Sequence, residues 1–388
     1  MVFRGAGASD LAILTCRHMC IEHVTVVGGT GYCFGETGGQ GGNKYIDDYI
    51  VYPPKPRSAT SLPILAACAD GLHSNSIRHG PTVVGCHFEG TGDDSLAIQG
   101  WYAILRRAAG RQWVVEFPRN VGSDFCKAGD LLRIDDSHGG FLGSTRVVRK
   151  KRLRRYKPQH PTRPEGVIGK ALPGVFYAVT VSHPVAHIAL DDRVNDTNVD
   201  GAGFVVRNCV IQHGCSRGMI IKANNGVIAD YTVDACANGD IELAPEFPWD
   251  ESGSSCHLLI EGNVIRDTNF VYTDQSDWPE AGALGILADT DARAKSFNHD
   301  DIAVINNRFV DDNGINLLVT DATNMLIAGN IFSKAMCLPD NRGAKIGYGA
   351  SSLVWLQQCK NILLAGNRVV APGSAMKVLV GVGPGVSN

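Results

Sequence analysis

A short phrase recurs along this chain of 388 residues: two apolar residues, a small residue, an asparagine, and an apolar residue two positions later. The clear copies have their asparagines at Asn208, Asn263, Asn307, Asn330 and Asn367, and degenerate copies lie at Cys86 and Tyr231. The closest copies are 23 residues apart (231 − 208 and 330 − 307), and the wider spacings of 32, 44 and 37 residues fit one turn plus a surface loop. A strand-like repeat of this length predicts a solenoid, in which each turn contacts only its neighbours.

The residues of the phrase indicate which solenoid to expect. Apolar positions alternate as they do in strands, and 45 glycines favour many turns. Inward Val, Ile, Leu and Phe side chains would stack in rows, and an asparagine at the same corner of each turn can bond the turns above and below. A leucine-rich repeat has a similar period but needs Leu-dominated spacing and a helical segment. The sequence therefore predicts an all-β parallel β-helix.

The repeat is interrupted between about Trp101 and Gly203, because the copies at Cys86 and Asn208 are 122 residues apart (208 − 86). Strand-like segments separated by Gly, Pro and Asp fill the gap and predict a small antiparallel β-barrel or sandwich. These segments are WYAILRRA, QWVVEFP, DLLRID, STRVVRK, VFYAVTVS and AHIAL. We expect three regions: the first part of the helix in 1–100, the inserted β domain in 101–205, and the second part of the helix in 206–388.

Charge and hydropathy exclude some partners. A net charge of −3 and a pI of about 6.4 give no global sign of a nucleic-acid or membrane partner, and no window approaches the roughly 18 apolar residues of a membrane span. The exception is local: RVVRKKRLRRYK, at 146–157, holds eight basic residues. A solvated hairpin is the simpler interpretation. A patch for an acidic glycan is the sharper one, and nucleic acid comes last because interleaved aromatic residues are missing.

The cysteines and the first residues leave the compartment open. The apolar stretch LAIL is too short for a signal peptide. We therefore interpret the start of the chain as a strand already inside the fold, and expect that further residues could precede it. Twelve cysteines lack CxxC spacing. Cys16, His18 and Cys20 offer three zinc ligands without an evident fourth, so core packing or disulfides are preferred and no metal is expected. A secreted or periplasmic location follows only from the function proposed below.

The chemistry concentrates in ADGLHSNSIRHGPTVVGCHFEGTGDDSLAIQG, at 69–100. One turn of the repeat separates Asp70 from Asp93 and Asp94, so the three carboxylates should meet in space. Clustered carboxylates repel one another, and a fold tolerates that cost mainly where function needs it. An aspartate next to glycine also commonly caps a turn, which is the competing interpretation for each residue taken alone. Three together favour the carboxylate chemistry of glycosidic bond hydrolysis.

Later turns supply groups that suit a sugar. CSRGMIIK carries Arg217 and Lys222, and an arginine can bind hydroxyls or a carboxylate at two points. PWDESG carries Trp249, whose ring offers an apolar face to a sugar, and Glu251, which is either a second acid or a turn residue. His73, three residues after the first aspartate, is a candidate sugar ligand. Buried packing for the tryptophan and an ordinary polar contact for the histidine are the competing interpretations.

The order of these blocks resembles glycoside hydrolase family 110. The blocks are ADGLHS, GCHFEGTGDDSLAIQGWY, the inserted β segment, RNCVIQHGCSRGMIIK, PWDESG and the later coils, over about 25–332. The resemblance implies a right-handed parallel β-helix with an inserted barrel, and cofactor-free, inverting removal of terminal α-1,3-linked galactose. It also implies catalytic roles or direct contacts for Asp70, Asp93 and Asp94, and substrate contacts from Arg217 and the segment 249–251.

Some positions depart from that family. Where it typically has DDALNVHG this chain has DDSLAIQG, so Gln99, a candidate substrate contact, replaces a histidine and Ala97 replaces an asparagine. The family's RARG becomes CSRG, with Cys215 in place of an arginine. These changes bear on galactose specificity more than on hydrolysis. The chain is also similar in pattern to family 28 polygalacturonases, although their Arg-x-Lys is stretched here to Arg217 and Lys222 and their Gly-His-Gly is missing.

The resulting hypothesis is an exo-acting, inverting glycoside hydrolase that needs no cofactor. Its partner would be an oligosaccharide or polysaccharide, with no nucleic acid and no membrane. One carboxylic acid would protonate the leaving oxygen and another, as carboxylate, would activate water, with roughly 6.5–9.5 Å between them. Asp70 is paired with Asp93 or Asp94, and the sequence leaves the acid unassigned. The alternatives are a non-catalytic glycan-binding β-helix, and a polysaccharide lyase with calcium in the acidic cluster and Arg217 or Lys222 as base.

Overall fold

The chain folds into a parallel β-helix that carries an inserted antiparallel barrel. The structure is a computed structural model that describes residues 9–61, 63–117, 125–157, 174–269, 281–287, 298–338 and 341–387. Each complete coil of the helix contributes one short strand to each of three parallel ladders. The prediction of an all-β parallel β-helix is therefore confirmed.

Three ladders make up the helix, and we number them by their first strands. The first ladder contains β1 (Ser9–Leu14), β4 (Tyr32–Thr37), β7 (Leu72–Asn75), β10 (Leu96–Trp101), β19 (Met219–Ile221), β22 (Ile241–Leu243), β26 (Leu284–Ile286), β29 (Leu317–Ala328), β31 (Ser352–Ala365) and β33 (Val378–Val382). The second contains β2 (Cys20–Glu22), β5 (Lys44–Ile46), β8 (Thr82–Val84), β17 (Val205–Arg207), β20 (Gly226–Ala229), β24 (Cys256–Glu261), β27 (His299–Ile305) and the later halves of β29 and β31. The third contains β3 (Thr25–Val27), β6 (Tyr49–Val51), β9 (His87–Glu89), β18 (Val210–Gln212), β21 (Thr232–Asp234), β25 (Val264–Arg266), β28 (Arg308–Val310), β30 (Ile331–Ser333) and β32 (Arg368–Val370).

Strand alternation turns one row of the first ladder into the interior. Leu72, Leu96, Met219 and Ile241 stand in register on four successive coils, and all four are fully buried. Burying each such side chain is worth roughly 1.5–3 kcal/mol, so the stack holds neighbouring coils in one register. Because successive side chains in a strand point to opposite faces, the residues between these positions face outwards.

An asparagine stack holds one corner of the helix. The side-chain Nδ2 of Asn263 donates to Oδ1 of Asn307 at 2.9 Å, that of Asn307 to Asn330 at 3.1 Å, and that of Asn330 to Asn367 at 2.9 Å. Each Nδ2 also donates to a backbone carbonyl of the preceding coil, as from Asn307 to Ile260 at 2.9 Å. The oxygen and the nitrogen of each stacked side-chain amide thereby have hydrogen-bond partners, and the predicted asparagine corner is confirmed for these four coils.

The assignment of Asn208 to this corner is wrong by one residue. Asn208 has a φ of 54° and occupies the turn position that Gly262 occupies with a φ of 69° on a later coil. The corner position on its coil is Cys209, which precedes β18 as Asn263 precedes β25. Asparagine is one of the few residues that tolerate a left-handed conformation, so it can replace the turn glycine as well as supply the corner amide.

The inserted segment forms a closed barrel between the first-ladder strand β10 and the second-ladder strand β17. Its neighbour order is β11, β12, β15, β14, β13, β16, which closes on β11. The strands are β11 (Ala103–Ala109), β12 (Gln112–Phe117), β13 (Leu131–Asp135), β14 (Phe141–Leu153), β15 (Val175–Val181) and β16 (Arg193–Asp196). A separate apolar core fills it, with Trp113 its largest fully buried side chain.

The last predicted barrel strand is wrong. AHIAL, at 186–190, lies in turns and loop, and the closing strand is β16. β16 pairs with both β11 and β13 although its sequence is polar. Its side chains find buried polar partners instead: Asn195 Nδ2 donates to Asp200 at 2.8 Å, and Ser252 Oγ donates to Asn195 Oδ1 at 2.8 Å. A hydrophobic pattern cannot reveal a strand held this way.

Two short helices and one short antiparallel strand complete the described structure. The 3-10 helix Phe247–Trp249 leads into β23 (Glu251–Ser252), which pairs antiparallel with β10, and α1 (Asn341–Lys345) is the α-helix of the described ranges. None of the described helices is long and apolar enough to cross a membrane. Within the part of the chain that the structure covers, no cysteine takes part in a disulfide bond.

Candidate functional site

Three side chains form a column along the first ladder. Asp70, Asp94 and Arg217 each lie two residues before the first inward residue of their strand, on three successive coils. Backbone hydrogen bonds from Gly71 N to Asp94 O (3.0 Å) and from Ser95 N to Arg217 O (3.2 Å) fix the alignment. Because adjacent strands lie about 4.8 Å apart, each side chain can touch the next.

The Asp-Gly pair at the head of this column has a packing cause of its own. A Cβ on Gly71 would lie 2.4 Å from the carbonyl oxygen of Ser95 on the next coil, which is closer than a side chain can stand. The glycine is therefore required for the coils to approach. The chemistry must be argued from the aspartate itself.

Asp93 joins the column from the corner that precedes β10. Residues 92 and 93 form a bend before the strand begins, so the two neighbouring aspartates need not face opposite sides. One carboxylate oxygen from each of Asp70, Asp93 and Asp94 lies within 4.8 Å of the other two. Asp70 and Asp94 are 4 % and 6 % exposed, whereas Asp93 is partly exposed. We call these three carboxylates the acidic trough.

A histidine holds one end of the trough. Nδ1 of His73 lies 2.7 Å from Oδ2 of Asp70, and the nitrogen donates because a carboxylate only accepts. The imidazole stacks on Tyr32, with ring centroids 4.4 Å apart and planes 10° apart. Burial alone would lower the pKa of His73, but the hydrogen bond and the charge of Asp70 outweigh burial and raise it. The contact with Asp70 therefore favours the protonated form of the imidazole.

Arg217 connects the trough to two further carboxylates. Its Nε and Nη2 bind the two oxygens of Asp94 at 2.7 and 3.1 Å. Its Nη1 donates to Glu242 at 3.4 Å and to Glu246 at 3.1 Å. Glu242 stands in register with Ile220, three residues after Arg217, on the neighbouring strand. The guanidinium is only 8 % exposed, so its charge is balanced inside the protein.

Burial raises the pKa of Asp94 to about 6, against the opposing effect of Arg217, and the charge of Asp70 adds to the rise. Asp94 therefore changes its protonation close to neutral pH. For Glu246 the balance is the reverse. Burial favours its neutral form, but the charges of Arg217 and Lys222 win and hold the pKa of that carboxyl far below its usual range.

Lys222 is a second buried cation, in the row next to the trough. Its ammonium donates to Gln99 Oε1 at 2.7 Å, to Glu246 Oε2 at 2.5 Å and to Glu251 Oε2 at 2.5 Å. Three acceptors use all three of its protons. Burial would lower the pKa of Lys222, but the two glutamates raise it. Lys222 is therefore a permanently charged anchor.

The loop that supplies the glutamates folds back on itself. Backbone bonds between Glu246 and Glu251 run in both directions at 3.1 Å, and the 3-10 helix lies between them. Trp249 is half-buried at the end of that helix. Asp250, in a left-handed conformation with a φ of 57°, forms an ion pair with Arg193 of the barrel at 3.1 Å. The barrel and the helix thus both hold the loop against the trough.

The structure places the sequence-predicted residues as follows. Asp70, Asp93 and Asp94 meet in the trough, and His73 and Arg217 bind two of them. Gln99, Lys222 and Glu251 form a connected network one row away, but Gln99 and Lys222 are 1 % and 0 % exposed. Lys222 gives its three protons to Gln99, Glu246 and Glu251, and substrate contact by Gln99 and Lys222 stays a prediction. Trp249 lies on the loop between Glu246 and Glu251, and 18 % of the side chain of Glu251 is exposed.

Sequence reasoning missed Glu242, Glu246 and Tyr32. Strand register could have found Glu242, because it follows an inward residue by one position, as Ala97 and His73 do on earlier coils. Glu246 gave no such signal, since it reaches the cations only through the backbone turn of the loop. Tyr32 lies one coil before Asp70 at the equivalent position.

The acidic trough is also the place where a metal ion would fit. Among the residues described here, Asp70, Asp93 and Asp94 are the one group of His, Cys, Asp and Glu side chains whose donor atoms are close enough together to hold one. Carboxylate oxygens suit calcium or magnesium. Arg217 and His73 already counterbalance two of the three charges, so the cluster has neutralising partners without an ion.

Comparisons with known proteins give a likeness of fold. No protein-family model matches the sequence, and no curated protein matches it. A variant of the catalytic domain of a GH87 alpha-1,3-glucanase, in complex with nigerose, matches 96 % of this chain and 48 % of its own length, at 9 % identity and a TM-score of 0.45. The catalytic unit of a thermostable GH87 alpha-1,3-glucanase from Streptomyces thermodiastaticus matches 98 % and 49 %, at 12 % identity and a TM-score of 0.40.

A third similar structure comes from a virus. The Gp54 tailspike of Acinetobacter baumannii bacteriophage AP22, in complex with A. baumannii capsular saccharide, matches 78 % of this chain and 53 % of its own length, at 10 % identity and a TM-score of 0.26. The chain spans about half the length of the solved structures it matches. Likeness at these values carries no argument about chemistry, which must come from the trough itself.

Proposed function

We propose that the acidic trough hydrolyses glycosidic bonds in an oligosaccharide or polysaccharide. One observation carries the proposal: three carboxylates from adjacent coils lie with oxygens within 4.8 Å, and buried cations bind two of them. Carboxylates at this distance repel one another, and a fold tolerates that cost mainly where function needs the carboxylates. Hydrolysis of an acetal uses such a set, because it needs one group that donates a proton and another that activates water.

The cations suggest how the roles divide. Asp70 and Asp94 are each held by a basic side chain, His73 and Arg217, and these contacts orient both carboxyl groups. Two such carboxylates can orient one water and accept its proton. Asp93, the most exposed of the three, is assigned the general acid that protonates the leaving oxygen, because a glycosidic oxygen arrives from the open side. When the product leaves, the base releases its proton to solvent and Asp93 takes one up from solvent, which restores the starting state.

The spacing of the trough differs from the one expected for inversion. Its oxygens lie within 4.8 Å of one another, closer than the roughly 6.5–9.5 Å of a two-carboxylate inverting pair and nearer to the about 5–5.5 Å of a retaining pair. Retention needs a carboxylate that attacks carbon, and the hydrogen bonds from Arg217 and His73 lower the nucleophilicity of Asp94 and Asp70. Inversion is therefore proposed from the resemblance to family 110, and the anomer of the first-formed product tests it.

The identity of the substrate is proposed from the resemblance to family 110. It favours exo-action on a terminal α-linked, galactose-like sugar. Gln99 and Glu246 are buried and bound to Lys222, so specificity would rest on the partly exposed groups, Asp93, Glu251 and Trp249. An aromatic face next to carboxylates is a common arrangement for binding one sugar ring.

A lyase is the competing enzyme. It would place calcium in the trough and use Arg217 or Lys222 to remove a proton from a uronic acid. Lys222 is fully buried with its pKa raised, and Arg217 binds three carboxylates, so neither is a free base. An unsaturated, ultraviolet-absorbing product that disappears on chelation would select the lyase over the hydrolase.

The test combines a product screen with three substitutions. Aryl α-glycosides and a short panel of oligosaccharides are incubated with the protein, and proton NMR reads the anomer that forms first. Asp70→Asn, Asp93→Asn and Asp94→Asn should each remove turnover by at least about 100-fold, in line with the loss of a general acid or base, while the circular dichroism spectrum stays unchanged. Asp230→Asn, an exposed carboxylate elsewhere on the helix, is the matched control.

Normal rates in all three trough variants would refute the site. A first-formed product of retained configuration would refute inversion alone. Binding of oligosaccharides without any product would instead favour the non-catalytic glycan-binding β-helix.

A further inference from the structure

The inserted barrel carries a strongly basic surface that the trough does not use. The end of β14 and the residues that follow it place six exposed cations within nine positions: Arg149, Lys151, Arg152, Arg154, Arg155 and Lys157. Within the described residues none of the six forms an ion pair. We call this segment, 149–157, the basic ribbon. Because the whole chain has a net charge of −3, the ribbon is a local concentration of charge.

The ribbon is firmly attached to the barrel. β14 pairs with β15 from Val147 to Leu153, with Lys150 opposite Val179 and Arg152 opposite Tyr177. Lys150 anchors the root of the ribbon, since its ammonium donates to the carbonyl oxygen of Phe125 at 2.7 Å and lies 5.1 Å from the ring centre of Tyr177. Arg149 and Arg152 therefore project from a paired strand, and Arg154 and Arg155 follow in the turn after it.

A cavity of about 420 Å³ opens beside the ribbon. Arg152 and Arg154 line it together with Tyr156 and Phe176, whose ring centres are 5.0 Å apart. Ligand cavities commonly have volumes of about 300–1,000 Å³. Glu116, opposite Phe176 on the next strand, is buried and bound by Arg106 at 2.8 Å, so it does not neutralise the arginines.

These groups suit one class of ligand. Guanidinium groups bind planar carboxylates and sulfates at two points, and an aromatic pair offers an apolar surface to a sugar ring. The two rings pack on each other with their planes tilted by 41° and line one cavity. Single-stranded nucleic acid would need separate platforms for successive bases along a positive groove. The arrangement therefore matches a glycan unit that bears an acidic group.

We infer that the basic ribbon and its cavity bind an anionic glycan, with Arg152 and Arg154 on the acidic group and Tyr156 under the ring. This rests on the proposed function, to which it adds that the glycan is acidic and is held at a second place on the protein. The acidic group is a carboxylate of a uronic acid or a sulfate, which share the same recognition chemistry.

Binding is measured by calorimetry in the full chain carrying Asp70→Asn and Asp94→Asn, so that no turnover interferes. The probes are hexagalacturonate, a sulfated hexasaccharide, a neutral glucan hexasaccharide and a single-stranded oligonucleotide. Arg152→Gln with Arg154→Gln should weaken one of the two acidic probes by about tenfold or more, since each arginine contact is charge-assisted. Arg107→Gln with Lys127→Gln removes two exposed cations of the same barrel and should leave the affinity unchanged.

A third variant separates the ring from the charge. Tyr156→Ala should weaken binding of the acidic hexasaccharide while leaving its salt dependence unchanged, whereas the arginine variant should reduce that dependence. The inference would be overturned by equal losses of affinity in the two charge variants. It would also be overturned if neither acidic probe bound, or if the neutral glucan or the oligonucleotide bound more tightly than the acidic probes. These readouts need no catalysis. Failure of the hydrolase proposal would therefore show as absent turnover in the wild-type protein with ribbon binding intact.

Discussion

Arg217 binds Asp94 at two points, from Nε to Oδ1 at 2.7 Å and from Nη2 to Oδ2 at 3.1 Å. A planar guanidinium fixes the plane of a carboxylate as well as favouring its charge. The remaining Nη1 binds Glu242 and Glu246, so one cation joins the trough to the loop that covers it. Arg217 thus orients the Asp94 carboxyl group and limits the rise of its pKa, which stays at about 6.

The first prediction concerns the pH profile of hydrolysis. Burial raises the pKa of Asp94 to about 6, with Arg217 opposing that rise. If Asp94 must be ionised to activate water, kcat/KM should increase as the pH rises through about 6. Arg217→Gln removes the opposing charge, so the pKa of Asp94 should rise and the increase should move to higher pH.

Arg217→Lys is the matched variant for this measurement. It keeps the positive charge but loses the two-point geometry, so the increase should stay near the same pH while kcat falls by about 100-fold, as expected for a misplaced catalytic group. The experiment is a set of pH profiles on the substrate found by the product screen. An unmoved profile in Arg217→Gln would show that Asp94 is not the titrating group.

The second prediction concerns the buried anchor at Lys222. Lys222→Met leaves Glu246 and Glu251 without their shared cation inside the protein. Breaking a buried ion pair on one side costs about 3–5 kcal/mol, so the free energy of unfolding should fall by that amount. Urea titration followed by circular dichroism measures it.

Lys334→Met provides the comparison. Lys334 is exposed and its ammonium lies 3.9 Å from Asp311, so its loss should cost less than about 1 kcal/mol. The double variant Lys222→Met with Glu246→Gln should recover part of the stability, because one uncompensated charge is removed. Equal effects of the two lysine substitutions would contradict the anchoring role.

Much of the fold could be predicted from the sequence because stacking of the coils itself requires the repeat. The interior of a stacked coil needs the same residue type at the same place, so Asn263, Asn307, Asn330 and Asn367 report the corner directly. The error at Asn208 has the same origin, since an asparagine also suits the left-handed turn next to the corner.

The trough was predictable for a related reason. Residues one coil apart come into register, so Asp70 and Asp94, 24 positions apart (94 − 70), meet just before the adjacent strands β7 and β10. Glu246 was not predictable, because its place depends on a loop that leaves the repeat and returns. Buried polar strands such as β16 escape for a similar reason, since partners such as Asp200 and Ser252 are distant in sequence.

The third prediction concerns stability and pH, and it starts from Asp312. This carboxyl is fully buried, and burial raises its pKa to about 8, although Thr268 donates to it from both its backbone nitrogen and its hydroxyl. An unfolded aspartate loses its proton near pH 4. Between about pH 4 and 8 the folded form thus binds one more proton than the unfolded form, so this group makes stability fall as the pH rises.

Asp312→Asn keeps an oxygen for Thr268 but cannot titrate. From pH 5 to 7.5 the free energy of unfolding of the variant should therefore fall less steeply than that of the wild type, by about 1.4 kcal/mol for each pH unit. Asp311→Asn, at the partly exposed neighbour, should keep the wild-type slope. Burial also raises the pKa values of Asp196 and Asp321 to about 8, so the Asp312 variant should retain some downward slope. Parallel curves for the wild type and Asp312→Asn in urea titrations across this range would show that Asp312 is ionised in the folded protein, with its charge compensated by a bound cation or water.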